Sequence, residues 1–216
     1  MPFIVKNTTL IGPFDLLFPH SCRGCGAMGE ALCECCKNNI IKAHKNSKNS
    51  HIYAVSSRNG LLDDLIQNYK YHSARALAHP LAELIDATLP KNLPKNSIII
   101  PLPTATNHIR SRGFDHTYKL AKHLGKIRNY KVEKALIRNK NTVQVGSDRK
   151  TRLIQAKNAY ILNPKITIKK DTTYILLDDV WTTGASLMAG KKLLETAGAK
   201  NIKITVLAYS KPKEAK

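Results

Sequence analysis

The sequence predicts an α/β protein, a parallel sheet flanked by helices, with a small four-cysteine module ahead of it. Three observations carry that expectation. Short β-branched apolar runs alternate with stretches whose apolar residues recur every three to four positions. The turns between them are brief, which favours strand–helix–strand crossovers and a sheet covered on both faces. All five cysteines lie between Cys22 and Cys36.

The cysteines come first, as Cys22-x2-Cys25-x7-Cys33-x2-Cys36 with Cys35 as an extra. Two such knuckles can present four thiolates tetrahedrally to one Zn²⁺ at about 2.3 Å, a closed structural site. An odd number of cysteines in a chain expected to be cytoplasmic argues against a disulfide framework. Gly24 and Gly26 ease the tight backbone of the first knuckle. Cys36 is the better fourth ligand because it repeats the spacing of the first pair, with Cys35 as its competitor. The seven-residue excursion between knuckles is short for such sites, so a site that has lost its metal is the alternative. Asn38 to Ser50 is polar, aperiodic and reads as a linker. The expected division is therefore residues 1–50 for module and linker and 51–216 for the α/β domain.

In that domain, Leu61, Leu62, Leu65, Ile66 and Tyr69 mark one helix, and Leu77, Leu81, Leu84 and Ile85 a second over Ala74 to Leu89, which Pro80 kinks or restarts. Ser97 to Ile100 is a buried strand. Phe114 to Ile127 is a helix, and Val132 to Ile137 a second strand. Tyr174 to Leu177 is a third strand, Ser186 to Ala197 a helix ended by Gly198, and Ile202 to Tyr209 a fourth strand.

Composition narrows the function classes. Hydrophobic residues are 43% and charged residues 23%, ordinary globular usage that excludes disorder throughout. No apolar run approaches the roughly 18 residues of a membrane span. Met1 to Leu10 carries one lysine and no apolar core, so a secretory signal is not expected and a cytoplasmic location follows. Thirty-five Lys and Arg against 15 acids give a formal +20. Between Arg110 and Lys157 fourteen basic residues face three acids, a net +11. That segment is either a solvated basic face or a polyanion site, with single-stranded DNA as a candidate partner.

The most specific feature runs from Tyr174 to Ser186: a buried strand, Asp178 and Asp179, a Thr182-Thr183-Gly184 turn, then Ala185, Ser186 and a helix. The carboxyl end of a parallel strand is where doubly wound folds bind ligands, and the next helix offers free N–H groups to a phosphate. Thr182, Thr183 and Ser186 add hydroxyls, while Gly184 lets the backbone approach an anion closely. Two adjacent acids suit a ribose diol with Mg²⁺ nearby. The spacing is neither a Walker loop nor a dinucleotide fingerprint.

On these residues the chain resembles the type I phosphoribosyltransferases, whose signature for 5-phosphoribosyl-1-pyrophosphate (PRPP) is four apolar residues, two acids and a Thr/Gly turn. Further motifs are Phe14-Asp-Leu-Leu-Phe-Pro19, the four cysteines, Lys70-Tyr71, Pro101-Leu-Pro103, Arg110-x-Arg112-Gly113-Phe114, Gln144, and Arg152-x2-Gln155-x2-Asn158-Ala-Tyr160. Together they resemble the ComF family of competence-associated proteins. The resemblance implies the type I phosphoribosyltransferase fold, with Asp178 and Asp179 on the ribose hydroxyls and Thr182, Thr183, Gly184, Ala185 and Ser186 around the 5-phosphate. It implies pyrophosphate bound by the loop Pro101 to Gly113 through Arg110 and Arg112, and a mobile loop, Arg138 to Asn158, that brings in Gln144 and Arg152. Asp115-His116 stands where the family usually has Asn-Gln, which puts an acid beside the pyrophosphate site, and Gln155 stands where Asn is typical.

The implied reaction is displacement of pyrophosphate from C1 of Mg·PRPP by a nitrogen nucleophile, in a protein associated with DNA uptake and natural competence. The alternative is a non-catalytic protein that binds PRPP and single-stranded DNA through the 110–157 segment, with competence-machinery proteins as further partners. A third reading is a zinc-module interaction protein on a silent transferase fold.

Overall fold

The computed structural model describes residues 21–42, 52–58, 60–71, 74–139 and 159–210. Helix α1 is Glu34–Lys42, β1 Ile52–Ser57, α2 Gly60–Tyr71, and α3 Ala78–Thr88, entered through a 3-10 turn at Arg75–Leu77. Strand β2 is Ile98–Pro101, α4 Thr106–Arg112, α5 His116–Arg128 and β3 Lys131–Val132. Then come β4 (Leu136–Arg138), β5 (Tyr160–Leu162), β6 (Thr173–Trp181), α6 (Ala185–Thr196) and β7 (Asn201–Tyr209).

Among the described residues the main sheet has the order β1-β7-β6-β2-β3, parallel at every pairing, while β4 and β5 form a separate antiparallel pair. The long central strands are buried on both sides, as helix-covered parallel strands require. Alternation then sends successive side chains into two cores. Ile99, Ile175, Leu177 and Leu207 join α2, α3 and α5 on one face. Ile100, Tyr174, Leu176 and Val206 join α6 and the β4–β5 pair on the other. Cys22, Leu32, Cys36 and Ile40 belong to the first core, continuous with Leu62, Leu81 and Ile85.

Several expectations need correction. The strand expected at Val132 to Ile137 is two elements: β3 pairs with β2, and β4 leaves for the other face. The polar linker starts later than expected, because α1 continues to Lys42. The loop Pro101 to Gly113 contains α4, while Pro80 follows the change from the 3-10 turn to α3, where the helix restarts. It sits in the first turn of α3, where an N–H has no helical partner to lose.

Candidate functional site

Strand β6 does not stop before the acids but runs through them to Trp181. Period two therefore places Asp178 and Asp179 on opposite faces of the sheet. Asp179 follows Leu177 toward α2 and α5 and is buried at 6% exposure. There its Oδ2 accepts from Lys70 Nζ at 2.7 Å and from His116 Nε2 at 2.6 Å. Lys70 lies in the last turn of α2 and His116 at the start of α5, so one carboxylate ties two helices to the end of β6. Burial opposes its ionisation, but the His116 hydrogen bond and the Lys70 charge outweigh burial and hold it down to about 2. Asp178 faces the other way, only partly buried, and its Oδ1 accepts the Asp179 N–H at 2.9 Å. Burial first, then the neighbouring Asp179 charge, push its carboxyl up to about 8. Asp179 is thus an internal anchor, whereas Asp178 stays partly exposed.

The His116 proton can be placed by valence. Arg112 Nη1 lies 3.0 Å from His116 Nδ1, and a guanidinium only donates. Nδ1 therefore accepts, and the ring proton sits on Nε2, donating to Asp179. Arg112 is 9% exposed, its guanidinium stacks 5.1 Å from the ring centroid of Tyr71, and its buried Nε makes no hydrogen bond among the described residues. Arg110, two residues earlier on α4, is exposed. The two arginines thus stand in different environments, one exposed and one buried. Asp115 is the N-cap of α5, accepting from Tyr118 N–H at 3.1 Å and from Thr104 Oγ1 at 3.0 Å. The added acid thus has a structural role as the cap of a helix N-terminus.

Beyond β6, Thr182 and Thr183 are exposed, and the Thr183 hydroxyl accepts the Ala185 N–H at 3.3 Å. Gly184 caps α6 at φ 73°, a left-handed conformation natural to glycine. It lies directly over the indole of Trp181, where a Cβ would come 2.1 Å from Cζ2. The Ser186 hydroxyl lies near that of Tyr160, and the Arg138 guanidinium lies 5.4 Å from the Tyr160 ring centroid. Arg138 and Tyr160 end the two strands that bracket residues 140–158, so this pair flanks the Asp178 side of the site. Gln144 and Arg152 lie outside the described residues, as do Gln155, Asn158 and the Phe14 to Pro19 motif.

Sequence reasoning does not reveal the bridging role of His116, Lys70 as the partner of Asp179, or Arg138. Each lies far along the chain from what it touches, and only the presence of His116 in place of a commoner residue points there.

The cysteine segment gathers Cys22, Cys25, Cys33 and Cys36, with all four sulfurs within 4.8 Å of one another, and leaves Cys35 exposed outside the cluster. The Cys25 and Cys33 sulfurs are 3.6 Å apart, far from a disulfide and close to the roughly 3.8 Å edge of a tetrahedron with 2.3 Å metal–sulfur bonds. Cys22 Sγ accepts the N–H groups of Gly24 and Cys33, each at 3.3 Å. Burial opposes thiolate formation there, but backbone hydrogen bonds from Cys33, Cys25 and Gly24 prevail and bring the thiol down to about 6. The donor set fits a thiolate-bound metal such as zinc.

A parallel sheet whose central strand carries two acids near its carboxyl end and leads through a Thr-Thr-Gly turn into a helix defines a phosphoribosyltransferase-type domain. The chain belongs to the phosphoribosyl transferase domain family, which its residues 109–216 match. It is also similar to competence protein ComFC of Streptococcus pneumoniae, 26% identical over 168 residues, spanning 78% of this chain and 69% of that protein. The resemblance to the ComF family and the type I phosphoribosyltransferase fold both hold. Among solved structures, APRTase from Giardia lamblia complexed with 9-deazaadenine matches with TM-score 0.44 and 22% identity over 69% of this chain and 72% of that one. The glutamine PRPP amidotransferase from B. subtilis matches with TM-score 0.42 and 15% identity, over 65% of this chain and 30% of the other. No described helix is long and apolar enough to cross a membrane.

Proposed function

We propose that this chain binds Mg·PRPP at the end of β6 and transfers the phosphoribosyl group to a nitrogen acceptor. In this step the C1–O bond to pyrophosphate breaks, pyrophosphate leaves with the bonding electrons, and a C1–N bond forms as the acceptor nitrogen loses a proton. The observation that carries the reading is the separation of the two acids: Asp178 is partly exposed beside the Thr182–Ser186 turn, while Asp179 is internally neutralised. Asp178 takes a ribose hydroxyl, the N-terminus of α6 takes the 5-phosphate, and Arg110 and Arg112 serve the pyrophosphate side. Gln144 and Arg152, which the family resemblance implies as further ligands, serve the substrate as well. The chain's own chemistry is orientation, charge placement and water exclusion. The four cysteines hold a structural zinc ion in the unit spanning residues 1–50, and residues 51–216 form the transferase unit.

Calorimetric titration with PRPP and Mg²⁺, beside Asp178→Asn, tests this. Binding that the variant loses supports the site; absence of heat with the natural chain refutes it. A pyrophosphate-release screen across nucleobases then tests transfer.

A second reading, single-stranded-DNA handling in the cytoplasm during DNA uptake, is favoured by the net +11 between Arg110 and Lys157, part of it on the exposed Lys122 and Lys126 of α5. DNA affinity carried by that segment falls steeply with the logarithm of salt concentration, whereas Mg·PRPP affinity falls less.

A further inference from the structure

We propose that His116 is a positioning residue for the pyrophosphate side of the site: a neutral bridge that fastens the Arg112 guanidinium to the Asp179 anchor. The inference rests on the reading of Arg112 as an anion ligand given above. The geometry supplies three parts. Asp179 is held from one side by Lys70 at 2.7 Å and from the other by His116 Nε2 at 2.6 Å, so its oxygen is a buried reference point at the end of β6. The opposite nitrogen of the same ring accepts from Arg112 Nη1 at 3.0 Å, which transmits that reference point to α4. Arg112, with one face on Tyr71 and one nitrogen spent on His116, keeps its Nε buried and unpartnered among the described residues. An unpartnered buried donor on a guanidinium is satisfied by an anion oxygen.

A bridge of this kind needs a donor and an acceptor on one side chain, at opposite edges. Imidazole offers both in its neutral form, and so does the amide of glutamine, whereas leucine has similar bulk and neither. Thr104 Oγ1, 3.4 Å from His116 Nδ1, is too far to replace Arg112 as its main partner.

The test compares His116→Leu and His116→Gln with the natural chain, using Mg·PRPP, inorganic pyrophosphate with Mg²⁺, and ribose 5-phosphate as probes. Binding is read from the emission of Trp181, the single tryptophan of the chain, which lies under the Gly184 turn. The expected result is that His116→Leu weakens pyrophosphate and PRPP by about tenfold, one hydrogen bond's worth, and leaves ribose 5-phosphate within about threefold. His116→Gln recovers most of the loss. If Gln is no better than Leu while both keep the natural melting temperature, the bridge is overturned. It is equally overturned if Leu weakens all three probes alike. Nitrogen-15 NMR of the imidazole supplies a readout independent of PRPP. An Nε2–H ring that loses its Nδ1 hydrogen bond in Arg112→Met supports the bridge even in a chain that binds no PRPP. In that case only the anion role falls, together with the site reading beneath it. Any other tautomer overturns the bridge outright.

Discussion

Replacing Lys70 by Met removes the cation that, with the His116 hydrogen bond, holds Asp179 ionised, at a place where the side chains of Lys70 and Asp179 are 17% and 8% exposed. Breaking a buried pair from one side costs about 3–5 kcal/mol, and the low end applies because His116 still donates to the carboxylate. About 3 kcal/mol corresponds to roughly two pH units at 1.36 kcal/mol per unit. The Asp179 carboxyl, held down to about 2, then returns to the ordinary carboxylate range near 3.8. Because the folded state depresses this group, its contribution is complete above the ordinary carboxylate pKa and disappears as pH falls through about 2. Lys70→Met therefore loses about 3 kcal/mol at pH 7, a melting point lower by about 6–12 °C in a chain of this size, and its deficit narrows in acid. Urea unfolding across the acid range, with Asp179→Asn and the double variant completing a cycle, measures it. The double variant costs less than the two singles together, because no charge is left buried alone. A loss under about 0.5 kcal/mol at pH 7, typical of surface substitutions, or a loss independent of pH, refutes the anchor.

Gly184→Ala meets both a left-handed backbone, costing about 1–2 kcal/mol, and the Trp181 ring, so it lowers the melting point and shifts tryptophan emission even without ligand. Asp178→Asn abolishes Mg·PRPP binding yet stabilises the unliganded protein in alkali. Burial and the Asp179 charge raise Asp178 to about 8, so native stability falls as pH climbs from the ordinary carboxylate range to that value, and asparagine has no proton to lose. Melting points at pH 6 and pH 9 show the gain at the higher value. Chelation, or Cys33→Ser, unfolds the cysteine module and lowers the melting point of the whole chain, since Cys22, Leu32, Cys36 and Ile40 share a core with α2 and α3. Calorimetry of the metal-loaded and stripped protein measures the shift.

What the sequence could show follows from the range of each signal. The apolar periods of α2, α3, α5 and α6 and the β-branched runs of β2, β6 and β7 are local, and each lies at or close to its expected place. Two of the errors share one cause. Val132 and Leu136 are both apolar and four residues apart, but one pairs with β2 and the other with β5 across the molecule, and no local pattern records that choice. Likewise α4 is seven residues long with two arginines and little apolar stripe, so only its docking makes it a helix. In the site, the Thr182–Ser186 turn was legible because its residues are contiguous. The Lys70–Asp179–His116–Arg112 chain was not, because its members come from four elements.

Adjacent acids in the motif invite a reading in which both serve the ligand, and the period of a strand is what argues against it. Residues i and i+1 of β6 point into different cores, so Asp178 and Asp179 meet different neighbours whatever binds. On the α2 and α5 face the neighbours are a lysine and a histidine, and the carboxylate there is neutralised before any substrate arrives. On the α6 face the neighbours are Tyr160 and its stacked Arg138, with the N-terminus of α6 beyond, and the carboxyl there keeps its proton until ligand or alkali removes it. An ionised anchor fixes the end of the strand; a carboxyl poised near neutrality gains most from a partner that draws it into its charged form. The doublet is therefore a division of labour set by the pleat, with rigidity assigned to one residue and responsiveness to the other.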